Sequence, residues 1–222
     1  MEYYKAYEKR YKQVHKENEL WTTTLNTKEI LNVIEDYNIN KESSILDLGC
    51  GEGRDSIYLL NNGYNVLGID YSKEAIDTCK KIADERFKSN FKQFDLIEDK
   101  LDNKFDFIYS IAVLHMFVKD NHRDGFYKCI YNNLKENGLA FVVVMGDGIK
   151  EYESDITKAF ENQKRINLTT GKEMTIASTS CKVVNWNNLE KEIELNGLKI
   201  IEKWISNDIP EFESCMCIVI KK

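Results

Sequence analysis

The amino-acid sequence predicts an α/β fold in which a parallel sheet carries helices on both faces. Apolar stretches of strand length alternate with stretches of helix length, which is typical of parallel sheets with right-handed crossovers. The first predicted strand runs into a glycine-rich turn, and the second ends in an acidic residue. The expected strands are 44–48, 64–69, 91–95, 105–110 and 138–145, and the expected helices lie near 54–62, 73–86 and 120–136.

The stretch 45–53, ILDLGCGEG, is the most informative local pattern in the chain. Its three glycines, Gly49, Gly51 and Gly53, alternate directly after a buried strand. Glycine tolerates unusual dihedral angles and has no Cβ to hold a ligand away, so the pattern indicates close backbone contact with a ligand. Asp70 ends the next strand, 17 residues after Gly53, and an acid there can accept both hydroxyls of a ribose.

The spacing of the glycines distinguishes between classes of nucleotide. Dinucleotide-binding loops read G-x-G-x-x-G and hold a pyrophosphate, whereas this loop reads G-x-G-x-G and is accompanied by Asp47 and Glu52. Two carboxylates would repel a pyrophosphate but would favour a ligand with a cationic ammonium or sulfonium. S-adenosyl-L-methionine (SAM) has both cations and no phosphate.

The stretch 45–76, ILDLGCGEGRDSIYLLNNGYNVLGIDYSKEAI, resembles the first two motifs of class I SAM-dependent methyltransferases. Within it, GRDSIYLLNNGYNVLGID is most similar to the small methyltransferases of the tellurite-resistance type. The resemblance is strong from about residue 44 to residue 146. It implies a Rossmann-like, doubly wound, seven-stranded sheet, mostly parallel with the last strand antiparallel. It also implies methyl transfer to a small-molecule acceptor, with S-adenosyl-L-homocysteine (SAH) as the product.

The resemblance is weak at the N-terminus and after residue 146, and these segments define the expected organisation. Residues 1–40 are expected to form a helical lid, and residues 41–222 the methyltransferase domain, with an insertion at about 147–185. A stripe of Tyr3, Tyr4, Tyr7, Tyr11 and Val14 predicts a helix over residues 1–20. In the later part, the pattern predicts a helix over 149–166, a strand over 174–184, a helix over 186–196 and a final strand pair, 198–205 and 214–220.

Capping residues predict where several helices begin and end. Thr27 and Ser72 are expected as N-caps, whereas Gly63 and Gly138 each follow an asparagine and are expected to end helices.

The resemblance also implies which residues meet the cofactor. The loop and Asp47 belong near its amino-acid tail, Asp70 near the ribose, Asp95 and Leu96 near the adenine, and Ser110 and Ile111 near the methyl group. For Asp95, a turn-forming role at the strand end is the alternative. The full set of expected cofactor contacts is Asp47, Gly49, Cys50, Gly51, Gly53, Asp70, Tyr71, Asp95, Leu96, Ser110, Ile111, Tyr11 and Trp21.

Several side chains near this edge have two interpretations. His115 is a candidate general base, although a histidine at this place can equally serve only in packing or hydrogen bonding. Tyr11 and Trp21 either pack on the sheet or lie near the sulfonium through cation–π attraction. Arg54 and Asp55 either start a helix or contact the ligand. The acceptor pocket is expected to be lined by Tyr109, His115, Phe117, Met145, Asp147 and Trp186.

Composition limits the remaining function classes. A formal net charge of −6 argues against a nonspecific nucleic-acid binder, and no apolar run is long enough to span a membrane. The N-terminal residues lack the apolar region of a secretory signal, so the six cysteines are expected to be reduced thiols in a cytoplasmic monomer or homodimer without a metal. A protein or RNA methyltransferase and a non-catalytic SAM- or SAH-binding protein are the alternative functions.

Overall fold

A seven-stranded sheet forms the centre of the computed structural model, which describes residues 2–222. The eleven strands within these residues are β1 Ser44–Leu48, β2 Asn65–Asp70, β3 Phe91–Gln93, β4 Phe105–Ile111, β5 Leu134–Met145, β6 Tyr152–Glu153, β7 Asn162–Ile166, β8 Glu173–Ala177, β9 Lys182–Val183, β10 Lys199–Ser206 and β11 Cys215–Lys221. The large sheet has the order β10-β11-β5-β4-β1-β2-β3. β11 alone runs in the direction opposite to the other six strands of this sheet, so the predicted fold class is confirmed.

Six α-helices accompany the sheet, and they cover both of its faces. They are α1 Ala6–Lys16, α2 Lys28–Asp36, α3 Arg54–Asn61, α4 Lys73–Ile82, α5 Asp120–Asn133 and α6 Trp186–Leu195. Successive residues of β1 enter different cores: Ile45 packs with α2, α3 and α4, whereas Leu46 packs with α5 and α6. This alternation follows from the two-residue period of a strand. Burial on both faces explains why β1 reads as a nearly continuous apolar run.

The strand order reverses between β1 and β4, because the chain leaves β1 towards β2 and returns to the other side of β1 with β4. Such a reversal opens a crevice at the carboxyl ends of the strands, where ligands bind in sheets of this kind. The glycine-rich turn after β1, the end of β2 and the turn after β4 all meet there.

The helix predicted for residues 149–166 is wrong. This segment contains β6, a short 3₁₀ turn at Ile156–Lys158 and β7, and β7 forms an antiparallel hairpin with β8. Ile149 and Ile166, two of the residues that suggested an apolar helical face, are exposed. The hairpin buries Met174 and Ile176 of β8 against Val14 of α1, so its partner is the N-terminal helix rather than the sheet.

Two further predictions about helix ends are corrected. Gly138 does not end a helix, because α5 already ends at Asn133 and Gly138 lies within β5. A Cβ on Gly138 would come within 3.0 Å of the Asp106 carbonyl oxygen, so glycine is needed there for close strand approach. Thr27 precedes α2 but makes no capping bond, whereas Ser72 caps α4 as predicted by accepting from the Ala75 amide.

The first twenty residues form less helix than predicted. A 3₁₀ turn at Tyr3–Lys5 leads into α1, which ends at Lys16 and packs against β8 and α4. Within residues 2–222, none of the helices combines the length and the apolar character needed to cross a bilayer.

Candidate functional site

The glycine-rich turn folds back over the end of β2. Gly49, Gly51 and Gly53 have φ values of +88°, +54° and +82°, a left-handed backbone that favours glycine at all three positions. The amides of Gly49 and Cys50 both donate to the carbonyl oxygen of Ile69, each at 2.9 Å. The turn is therefore attached to β2 by backbone bonds, and this attachment does not depend on side chains.

Asp70 is fixed by the same turn. Its Oδ2 accepts from the Gly51 amide at 2.9 Å, and its Oδ1 accepts from the Ser72 amide at 2.8 Å. A carboxylate has about four acceptor sites, so each oxygen retains capacity for a ligand hydroxyl. Burial raises the pKa of Asp70 to about 6, although the two amide bonds oppose that rise. The carboxylate is thus preorganised and ionised at neutral pH.

Asp47, near the end of β1, accepts hydrogen bonds from two hydroxyl groups. Its Oδ2 accepts from the Ser56 hydroxyl at 2.6 Å and from the Tyr109 hydroxyl at 2.9 Å. Burial raises the pKa of Asp47 to about 7, since these bonds and the nearby Arg54 charge only partly offset the loss of solvation. A cation placed beside Asp47 would lower that pKa and would be stabilised in return.

A cavity with an empty volume of about 1070 Å³ lies above these groups. It brings together most of the residues predicted to bind the cofactor, and also His115. Those that line it are Asp47, Gly49, Cys50, Gly51, Asp70, Tyr71, Leu96, Ile111, Tyr11 and Trp21.

Three predicted residues lie outside this lining. A Cβ on Gly53 would meet the Cys79 sulfur at 2.9 Å, so this glycine serves packing behind the turn. Ser110 is fully buried and donates to the Leu48 carbonyl oxygen at 2.8 Å. Asp95 accepts from the Tyr4 hydroxyl at 3.0 Å and pairs with Lys5 at 3.1 Å, so its carboxylate holds the N-terminal segment.

Glu52 is also absent from the cavity lining, although the sequence places it inside the glycine-rich turn. Its carboxylate is buried and accepts four hydrogen bonds from the N-terminal segment. They come from His15 Nε2 at 2.6 Å, the Trp21 amide at 2.9 Å, and the Thr22 amide and hydroxyl at 2.8 Å each. Glu52 therefore links the turn to the segment that covers it, and Asp47 and Asp70 are the carboxylates of the β1 and β2 ends that face the cavity.

The N-terminal segment forms the roof of the cavity with aromatic side chains. The Tyr11 hydroxyl lies 2.9 Å from the position that a Cβ on Gly51 would take, so the close approach requires glycine. Arg10 donates to the Ala177 carbonyl oxygen through Nε and Nη2, and its guanidinium lies over the rings of Tyr7 and Trp21. The roof is thereby bonded to the β7–β8 hairpin.

His115 lies at the far end of the cavity and is 5% exposed. Its Nδ1 has no hydrogen-bond partner within residues 2–222. Burial and the charge of Arg123 lower the pKa of His115 to about 4, so the imidazole is neutral at physiological pH. The ring of Phe212 stands edge-on to it, with 5.8 Å between centroids.

A second cavity, with an empty volume of about 1530 Å³, adjoins the first beneath the β7–β8 hairpin. The residues that line both cavities are Tyr7, Trp21, His115, Glu211 and Phe212. The two spaces are therefore neighbours across His115, and we call this boundary, formed by His115, Glu211 and Phe212, the junction.

The residues predicted to line an acceptor pocket are divided between these spaces and the surrounding core. His115 and Phe117 line the first cavity, and Met145 lines the second. Tyr109 is fully buried and bonded to Asp47. Asp147 accepts from the amides of Ile149 and Lys150, and Trp186 packs against Gly148, so neither lines these cavities.

Several lining residues were not predicted from the sequence. Glu211 and Phe212 come from the turn before β11, where no motif marks them, and Thr22 comes from a stretch without clear periodicity. Arg54 and Asp55 begin α3, as one of the two interpretations expects. They also line the cavity and form an ion pair that bonds to Thr27 before α2.

All six cysteines are free thiols, and within residues 2–222 no group of three His, Cys, Asp or Glu side chains is placed to hold a metal ion.

Comparison with known proteins places this geometry in a family. Residues 13–165 match the family model described as tellurite resistance protein TehB. A phosphoethanolamine N-methyltransferase of Plasmodium falciparum is 28% identical over 198 residues, which cover 84% of this chain and 70% of that protein. A ubiquinone biosynthesis O-methyltransferase of Pelagibacter ubique is 32% identical over 130 residues, 54% of this chain, and the match spans only about half (52%) of that relative.

Solved structures share the fold. A SAM-dependent methyltransferase from Clostridium acetobutylicum superimposes with a TM-score of 0.64 at 18% identity, covering 89% of this chain and 92% of that one. The CcbJ methyltransferase from Streptomyces caelestis gives a TM-score of 0.70 at 13% identity, covering 96% and 98%. At these identities the likeness concerns the fold, and it extends over nearly the whole chain.

Proposed function

This chain belongs to the family of the tellurite resistance protein TehB and is a SAM-dependent methyltransferase, and from that premise we propose that its methyl acceptor is a small molecule. The observation that carries the proposal is that two segments outside the large sheet overhang the junction. Tyr7 and Trp21 cover it from the N-terminal segment, and the β7–β8 hairpin covers the adjoining cavity. A space roofed in this way suits a small acceptor better than a segment of a protein or RNA.

The names of relatives are consistent with this size of acceptor. They include a phosphoethanolamine N-methyltransferase and a ubiquinone biosynthesis O-methyltransferase. A structural neighbour from Burkholderia thailandensis is a 1,6-didemethyltoxoflavin-N1-methyltransferase. The family description and these names together favour a small acceptor, and the six free thiols fit a cytoplasmic location.

We further propose how the lining residues hold the cofactor. Asp70, fixed by the Gly51 and Ser72 amides, accepts the two ribose hydroxyls. Asp47 lies near the amino-acid tail and stabilises its ammonium, while the backbone of Gly49, Cys50 and Gly51 lets that tail approach closely. Leu96 and Tyr71 contact the adenosine, and Ile111 lies near the reacting methyl group. Asp95 reaches the adenine only if the Tyr4 bond is exchanged for a ligand bond.

The remaining lining residues position the acceptor. When bound, SAM supplies a methyl group on a sulfonium, and its transfer requires in-line approach with little acid–base assistance. The aromatic roof of Tyr7, Tyr11 and Trp21 excludes water and offers ring faces to the cation. His115 is neutral, so it accepts a hydrogen bond from the acceptor and receives a proton only transiently.

Radiolabelled methyl transfer tests the small-molecule proposal. The purified protein is incubated with SAM carrying a labelled methyl group and with a cell extract separated into metabolites, proteins and RNA. We expect label to enter the metabolite fraction, with SAH formed in equal amount. Label in the protein or RNA fraction alone would reject a small-molecule acceptor while leaving the methyltransferase assignment intact.

A further inference from the structure

Glu211 lies at the junction and has an unusual backbone conformation. It belongs to the turn between β10 and β11 and has a φ of +75°, which is unusual for a residue with a side chain. The Thr23 amide donates to its Oε1, so the N-terminal segment holds the carboxylate in place. Strained residues of this kind persist where surrounding contacts enforce them, and they concentrate at ligand sites.

One oxygen of this carboxylate is left for a ligand. Within residues 2–222, no group donates a hydrogen bond to Oε2 of Glu211, and the side chain lines both cavities. Burial raises the pKa of Glu211, an effect that the Thr23 amide and the Arg54 charge oppose. A positively charged donor at Oε2 would therefore be favoured.

His115 provides a second, independent observation at the same junction. The side chain is 5% exposed, and its Nδ1 has no partner in the described part of the chain. A buried polar atom without a partner carries a desolvation cost, so its presence calls for an explanation such as a bound donor. In the tautomer with the proton on Nε2, Nδ1 accepts a hydrogen bond.

Of the four cations that line the two cavities, three are engaged with other groups. Arg54 pairs with Asp55 at 2.8 Å, and Lys164 pairs with Glu173 at 2.8 Å. Arg10 is bonded to the Ala177 carbonyl oxygen and stacked on two rings. Arg165 also lines the second cavity, but it lies on an exposed stretch of β7. The junction thus offers one free carboxylate oxygen and one free imidazole nitrogen, both suited to N–H donors.

We propose that the methyl acceptor is a small amine whose nitrogen binds between Glu211 Oε2 and His115 Nδ1, which rests on the proposed function above. Both groups accept hydrogen bonds, and a protonated amine has three N–H donors to give. The edge of Phe212 completes the contact surface beside His115. Glu211 therefore determines acceptor specificity, and it does so from a part of the chain outside the glycine-rich motif.

The transfer balances with these two residues alone beside the two substrates. The bound ammonium first loses one proton to solvent by way of the Glu211 carboxylate or the His115 imidazole. The nitrogen lone pair then forms the N–C bond to the methyl carbon as the S–C bond breaks. The bonding pair of electrons stays on sulfur, so SAH leaves without the sulfonium charge and the product leaves as a methylated ammonium.

Acceptor kinetics of a charge-neutral variant test the proposal. The wild type is assayed with SAM and with ethanolamine, phosphoethanolamine and benzylamine, beside thiophenol, catechol and tellurite. We expect amine turnover, and we expect Glu211→Gln to lower kcat/KM for the amine by about 30-fold or more, mainly through KM, since one charge-assisted hydrogen bond is lost. Glu211→Asp should retain part of the activity. Glu213→Gln, an exposed neighbour, is the matched control and should stay within about twofold.

Calorimetric titration with SAH is followed by titration of the SAH complex with each amine. The two titrations distinguish a failure of the amine assignment from a failure of the methyltransferase assignment. Amine binding that weakens in Glu211→Gln while SAH affinity is retained supports the proposal. If SAH binds but no amine binds or is methylated, the amine assignment is overturned and the methyltransferase assignment stands. If amines are methylated but Glu211→Gln equals the wild type, the binding role of Glu211 is overturned. If SAH does not bind, the proposed function fails, and this inference fails with it.

Discussion

The floor and the roof of the cavity are built by different means. The floor, formed by the turn after β1 and by Asp70, is held by backbone amides that donate to the Ile69 carbonyl oxygen and to the Asp70 carboxylate, all within about 25 residues of sequence. The roof, formed by residues 3–22, is held by side chains, through Glu52, which bonds to Thr22, and through bonds across much longer separations, such as Tyr4 to Asp95 and Arg10 to Ala177. The floor is therefore expected to keep its geometry when the roof loosens.

This difference assigns different tasks to the two regions. In the proposed function, the floor binds SAM, which every turnover requires. The roof and the junction surround the place where the acceptor enters. Because the roof is attached mainly through side-chain contacts, we expect that it opens without disturbing the sheet. Regions that move for ligand exchange are usually drawn from the less stable parts of a fold.

The largest effect is expected from the floor, in the variant Asp70→Ala. It removes the carboxylate proposed to bind the ribose and should weaken SAH binding by about 100-fold, since hydrogen bonds to charged groups contribute roughly 1.5–3 kcal/mol. Calorimetric titration measures this loss, and Asp102→Ala, an exposed acid, is the control. Unchanged affinity in a variant that melts like the wild type would remove the ribose assignment.

A somewhat smaller effect is expected where the roof is attached, in the variant Glu52→Gln. The amide nitrogen of the new side chain meets the N–H donors of Trp21 or Thr22, so we expect a loss of about 2 kcal/mol in the free energy of unfolding. Hydrogen exchange should accelerate in residues 6–22 and stay unchanged in β1 and β2. The control is Glu42→Gln, which is exposed. Equal acceleration in roof and floor would contradict the separation of the two regions.

The smallest effect is a pH dependence confined to the roof. Burial lowers the pKa of His15, but hydrogen bonds to Glu52 and Glu74 outweigh that effect and the pKa is raised. A raised pKa in the folded state means that the stabilisation is complete below the unfolded pKa near 6.5 and is lost as pH rises through the folded pKa. Exchange in residues 6–22, corrected for the intrinsic rate, should therefore be faster at pH 9 than at pH 6.

The variant His15→Gln should abolish most of that pH dependence while leaving floor residues unaffected. Persistence of the same dependence in His15→Gln would assign it to other groups and would exclude His15 as its source.

The floor could be predicted from the sequence because its signals are local. Alternating glycines after an apolar strand, and an acid at the end of the next, define both the turn and its position in the sheet. The roof could be predicted as a helical lid with aromatic residues, but its attachments could not be predicted, because they depend on tertiary contacts. Nothing in the neighbourhood of Glu52 indicates that its carboxylate turns away from the cavity towards His15.

The segment after residue 146 shows even more strongly that structure which depends on tertiary contacts cannot be predicted from local sequence. Apolar residues from Ile149 to Ile166 fit a helical period, yet the chain forms a hairpin, because α1 offers Val14 as a partner for Met174 and Ile176. Periodicity cannot separate these outcomes when the burying surface comes from a distant part of the chain. Glu211 was missed for a related reason, since a lone carboxylate in a turn gains meaning only from the cavities it faces.

Calorimetric titration of the wild type with SAM, SAH and NAD in parallel tests the central claim most directly, namely that the acidic glycine-rich floor holds a cationic adenosyl ligand and not a pyrophosphate. We expect SAM and SAH to bind with dissociation constants on the order of micromolar, about −8 kcal/mol, and NAD to give no binding heat. Binding of NAD, or the absence of binding by both SAM and SAH, would contradict the account.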